Sequence, residues 1–228
     1  MKKLVLSSLV IAGLLTTGIA FSSFRAPGPA ATDITPPAAR TLSLAKTMSF
    51  KVDAAQSNLT WTAKKVTGGH TGGVKIAKGE VLADKNKVVG GSVEMDMTSI
   101  SDVDKSERLV NHLKSDDFFS AGKFPVSTFT ITKVSPIKGA KSGMPNYTVE
   151  GELTIKGITN PLSFPASIQV KGNTLTATSE AITIDRIKYD IKYRSASFFS
   201  AIGDKAIEDT FTVKFNFTAN AGPETARL

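Results

Sequence analysis

Between Ser49 and Phe217 the chain alternates apolar and polar residues with a period of two, segment after segment. Leu59, Trp61 and Ala63 alternate with Thr60 and Thr62, and Val93, Met95 and Met97 alternate with Glu94 and Asp96. Phe129 and Ile131 flank Thr130, and Val149, Gly151, Leu153 and Ile155 alternate with Glu150, Glu152 and Thr154. Phe164, Ala166 and Ile168 continue the pattern, as do Phe211, Val213, Phe215 and Phe217. A period of two puts successive side chains on opposite faces of a strand, so each segment has one buried and one wet face. The enrichment in Val, Ile, Thr and Phe suits strands. Turn signals separate the runs, at Gly68-Gly69, Asp84-Lys85-Asn86, Gly139 to Pro145, Gly157 to Pro161 and Lys171-Gly172-Asn173. About eight strands result, and their shared apolar face must be covered by a second sheet or by closure into a barrel. Periodicity does not choose between these.

Ser106–Lys114 breaks the pattern. Leu109, Val110 and Leu113 form a one-sided stripe at helical spacing, which predicts a short helix. Ser115 to Phe119 reads as a cap and turn, with two aromatics to bury.

Composition narrows the chemistry. The chain has no cysteine, which removes disulfides, thiol nucleophiles and cysteine metal sites together. Its only histidines are His70 and His112. His112 and Asp116 have the spacing of two ligands on a helix, but a third is not evident, so no metal site is assigned. Asp102 and Asp104, like Asp116 and Asp117, read as cap or turn residues rather than paired catalytic carboxylates. No Gly-x-Ser-x-Gly or Ser/His/Asp arrangement marks a nucleophile, and no enzyme is expected. The formal charge of +8 comes from scattered lysines and arginines, not from a basic patch interleaved with aromatics, which argues against nucleic acid. Weak attraction to an anionic membrane surface is compatible with that charge.

The N-terminus has its own organisation. Residues 1–20 have the anatomy of a secretory signal: Lys2 and Lys3, an apolar run from Leu4 to Leu15, and small residues at Gly18 and Ala20. An uncleaved anchor is the alternative. Residues 21–48, with Pro27, Pro29, Pro36 and Pro37, read as a linker. One domain is expected over 49–220, with a tail at 221–228. The expected location is the periplasm or the outside of the cell.

Several stretches of the domain resemble the YceI-like, polyisoprenoid-binding family. They are Val52-Asp53 with Ser57 to Trp61, Thr98-Ser99-Ile100, Asn111 to Phe119, Lys123-Phe124-Pro125, Gly151 to Thr159, and Asp185-Arg186 with Tyr189 and Ile191. The resemblance implies an all-β, eight-stranded antiparallel lipocalin-like barrel with a short helix over one end. It implies an exported protein, often dimeric, that holds a long isoprenoid, quinone or fatty-acyl chain, with no covalent cofactor. Gln56 and Lys65 stand where the family often has His, which implies a different polar end of the ligand if those positions touch it.

An eight-stranded barrel is just wide enough to be filled by side chains or to hold one slim ligand. The expected interior, and ligand wall, is Leu59, Trp61, Ala63, Val93, Met95, Met97, Phe129, Ile131, Val149, Gly151, Leu153, Phe164, Ala166 and Phe215. Arg186 and Arg194 are candidate contacts for a polar headgroup. Phe118-Phe119 and Phe198-Phe199 are expected to plug the barrel ends. The alternatives are a filled barrel acting through its surface in the envelope, and an enzyme acting on a lipid.

Overall fold

A computed structural model describes residues 47–199 and 203–222. The signal-like segment 1–20, nearly all of the linker 21–48 and most of the tail 221–228 lie outside the described residues. The order is β1 (Thr47–Val52), β2 (Asn58–Lys65), β3 (Gly68–Asp84), β4 (Lys87–Asp102), α1 (Glu107–Lys114), β5 (Val126–Pro136), β6 (Tyr147–Ile155), β7 (Ile158–Lys171), β8 (Thr174–Ser179), β9 (Ile182–Asp185) and β10 (Ile207–Ala221). The sheet begins and ends slightly outside the expected 49–220.

The ten strands close into a ring of eight antiparallel lanes. β1 and β2 share one lane, since both pair with β3 and β10. β8 and β9 share another, since both pair with β10. The remaining lanes are β3, β4, β5, β6 and β7, each paired with the next. Pairing of β10 with β8 on one side and β2 on the other closes the ring, leaving no long free edge among the described residues to template aggregation.

The alternation of the sequence becomes the inside and outside of this ring. One core cluster, at the α1 end, gathers Trp61, Met95, Met97, Ile100, Leu113 and Phe118. The other, at the opposite end, gathers Phe50, Val81, Ala83, Leu175 and Ala219. Val52, Phe129, Leu162 and Val213 pack against both.

α1 forms where the helical stripe predicts it. The Ser106 hydroxyl accepts a hydrogen bond from Leu109 N at 3.3 Å, satisfying one of the unpaired donors of the first turn. Leu113 is its buried residue.

Two turn assignments need correction. Gly68-Gly69 is not a turn but the start of β3, which runs on through Gly73. Gly72 answers to close packing: a Cβ there would stand 1.8 Å from the Ser101 carbonyl and 2.6 Å from the Trp61 ring. The turn expected over Gly157 to Pro161 is shorter, because β7 already begins at Ile158. Pro161 and Pro165 lie inside that strand, opposite Glu152 and Thr148.

Candidate functional site

The two core clusters do not fill the ring. Between them lies a cavity of about 180 Å³, walled by residues from both. The lining extends from Leu113 and Phe118 at the α1 end to Leu175 and Ala219 at the other. Its polar members are Ser127, Arg186, Glu208 and Thr210, and of these Glu208 and Thr210 are exposed. An apolar void of about 150 Å³ in a protein core takes up benzene or xenon, so an apolar space of this size suits hydrocarbon.

Aromatic rings shape the space. Phe129, Phe164, Phe215 and Phe217 form a chain across the barrel, with centroid separations of 5.4, 5.7 and 4.5 Å. At the α1 end Leu113, Phe118 and Phe119 close the wall. Phe118 is held edge-on by His112 at 5.0 Å and tilted against Tyr193 at 5.4 Å. His112 bonds Asp117 at 2.8 Å. Asp116, which has the helical ligand spacing from His112, turns instead to Lys123 and Ser120.

Leu59, Trp61, Ala63, Val93, Met95, Met97, Phe129, Ile131, Val149, Leu153, Phe164, Ala166 and Phe215 all line the cavity. Gly151 does not. The Phe129 ring lies over it, so close that a Cβ there would be 2.5 Å from the ring. Gly151 makes room for a wall residue rather than for a ligand. Sequence reasoning missed the contributions of Leu113, Ile184, Ile191 and Phe211, which line the cavity from α1, β9, the loop after it and β10. Gln56 and Lys65 are exposed and lie outside the wall, and Gln56 Nε2 donates to Asp53. Phe198 and Phe199 do not plug an end, being 48% and 51% exposed.

Arg186 touches the cavity but is committed elsewhere. Its Nε donates to Glu208 O, one terminal nitrogen to Ile191 O, and the other to Ile207 O and, at 3.5 Å, to Asp209. Three of these bonds tie the turn after β9 to β10 and the fourth braces the turn itself, leaving little for a headgroup. Burial pulls the guanidinium below its ordinary value, opposed by Asp209 and Asp185. Asp185 does not pair with Arg186 but caps the turn, accepting from Ile187 N at 3.0 Å. Arg194 is exposed, stacks on Tyr193 at 5.2 Å and is not part of the wall.

The YceI-like domain model matches residues 50–219, all of the ring but the first residues of β1 and the last of β10. The chain belongs to the YceI-like family. A UPF0312 protein of Yersinia enterocolitica is 37% identical over 91 residues, covering 40% of this chain and 41% of its own length. A UPF0312 protein of Staphylococcus aureus is 37% identical over 98 residues, covering 40% of this chain and 52% of its own. The matches thus span about half the length of these relatives or less. Among solved structures, Burkholderia cenocepacia BcnA aligns with a TM-score of 0.59 at 23% identity, over 74% of this chain and 99% of its own. A polyisoprenoid binding domain from Saccharophagus degradans, implicated in plant cell wall breakdown, aligns with a TM-score of 0.55 at 15% identity, over 77% and 99%. At these identities the two structures share the fold with this chain.

Proposed function

We propose that this YceI-like barrel binds and carries a long apolar chain (a polyisoprenoid, an isoprenoid-quinone tail or a fatty-acyl chain) within the cell envelope. The observation that carries this reading is the cavity: about 180 Å³, walled by apolar side chains from one core cluster to the other. Each methylene moved from water into such a wall contributes about 0.8 kcal/mol, so a chain needs no polar contact to bind. A ligand longer than the cavity enters by displacing Phe129, Phe164, Phe215 or Phe217. The Saccharophagus relative's description as a polyisoprenoid binding domain supports the ligand class. The signal-like 1–20 and the proline-rich linker support export, with the domain held near a membrane. A homodimer and transient membrane contact fit such a carrier. Binding, not turnover, is the activity proposed.

A second reading has its own observation. The four phenylalanine rings already occupy the middle of the barrel, as they would in a filled core acting through its outer surface. Uptake of a fluorescent polyene fatty acid separates the two. The carrier reading expects saturable, roughly one-to-one binding that an unlabelled isoprenoid alcohol displaces. The filled-barrel reading expects none.

A further inference from the structure

The inward row of β3 does not stay apolar. Val74 and Ile76 point into the core, Gly72 makes room for Trp61, and the next inward position toward the α1 end is His70. On β4 the inward row passes from Ile100 to Asp102. The ladder sets Gly72 opposite Asp102, and Val103 N donates to Thr71 O at 2.9 Å, which brings His70 beside Asp102 and Asp104. One nitrogen of His70 and one carboxylate oxygen from each aspartate lie within 4.8 Å of one another.

Asp102 is the unusual member. The residue is 7% exposed and its side chain 0%. Its Oδ2 accepts from Ser106 N at 3.1 Å, but its Oδ1 has no hydrogen-bond partner. Among the described residues no lysine or arginine pairs with it. A buried carboxylate oxygen without donor or countercharge is costly. It faces His70 Nδ1, which is also buried and unpartnered, at 3.9 Å. A charged hydrogen bond would draw these atoms to about 2.7–2.9 Å. An ion held at about 2.0–2.2 Å from each spans up to about 4.3 Å, and 3.9 Å falls inside that reach.

We propose that His70, Asp102 and Asp104 bind a divalent transition-metal ion at the α1 end of the barrel. One imidazole and two carboxylates suit an ion such as zinc better than magnesium or calcium, which take oxygen ligands alone. The ion supplies the countercharge for Asp102 and clips the ends of β3 and β4 together just before α1. Three protein ligands leave a further position for water or another ligand. This site is independent of what fills the barrel.

The test is calorimetric titration of the chelator-treated protein with zinc chloride, with metal content measured after dialysis. One equivalent is expected to bind and to raise the melting temperature. His70→Gln and Asp102→Asn, with folding checked by circular dichroism, are expected to abolish binding. Asp104→Asn, at an exposed position that does not threaten the fold, is expected to weaken it at least tenfold. His112→Gln, which removes the other histidine–carboxylate pair, is expected to change nothing. Absence of saturable zinc binding overturns the site, as does binding that survives His70→Gln or disappears in His112→Gln.

Discussion

The indole of Trp61 lies across Gly72 on the neighbouring strand, with its Nε1 donating to Ser101 O at 3.2 Å. A methyl group at Gly72 would meet the indole at 2.6 Å and the Ser101 carbonyl at 1.8 Å. Gly72→Ala is therefore expected to destabilise the fold by about 3 kcal/mol or more, since backbone as well as side chain must move. Gly122→Ala, where a Cβ meets nothing within 4 Å, is expected to cost less than about 0.5 kcal/mol. Urea denaturation of both variants checks the contrast, and equal effects would contradict it.

Strand identity was legible because alternation is written residue by residue, as in Leu59 to Ala63 or Phe211 to Phe217. The short helix was legible from Leu109, Val110 and Leu113. Closure was legible only through the family resemblance, because it rests on which strands β10 meets, and periodicity is silent about partners. The start of β3 was hidden because glycines carry no hydropathy signal, and Gly72 acquires its meaning only beside Trp61. The same holds for the wall: alternation placed Phe129 and Phe164 inside, but only cross-strand contact shows Phe129 covering Gly151. His70 is far in the chain from Asp102 and Asp104, and it meets them only through the β3–β4 register.

Arg186 is a structural clamp rather than a headgroup ligand. Arg186→Lys keeps a charge but loses the fork that serves the carbonyls of Ile191, Ile207 and Glu208. Leaving buried acceptors unpaired should cost about 1–3 kcal/mol, visible as a lower urea midpoint. Lipid uptake per folded molecule should be unchanged, as it should be in Arg194→Ala. A selective loss of uptake in either variant, with stability intact, would restore the headgroup role.

Asp209 gives the fold an acid-sensitive contact. Burial pushes its carboxyl up, but hydrogen bonds from Ser195 and Ser197 and the charge of Arg186 outweigh this, and the net direction is down. A carboxylate with a folded pKa below its unfolded value near 3.9 stabilises the fold fully above that unfolded value. The contribution is lost as pH falls through the lowered folded value. Asp209→Asn should therefore be less stable than the native chain at pH 7, and the gap should narrow in acid. Thermal melts from pH 7 to pH 2 check this, and a constant gap would contradict it.

Ala166 is fully buried and lines the cavity, so Ala166→Phe drives a ring into the space proposed for ligand. Overpacking of this kind typically costs about 1–3 kcal/mol. Fatty-acid uptake should fall at least tenfold. Ala177→Phe, at a less buried position of the same wall, repeats the test should the first variant not fold. Undiminished uptake by both folded variants would place the ligand outside the barrel.

The most direct test of the carrier function is native mass spectrometry of protein purified from a host with its own envelope lipids, followed by organic extraction of what comes with it. A stoichiometric isoprenoid, quinone or acyl species is the expected result, and it would name the ligand class. Protein that arrives free of lipid and takes up none when it is supplied would contradict a carrier and leave a filled barrel that acts through its surface.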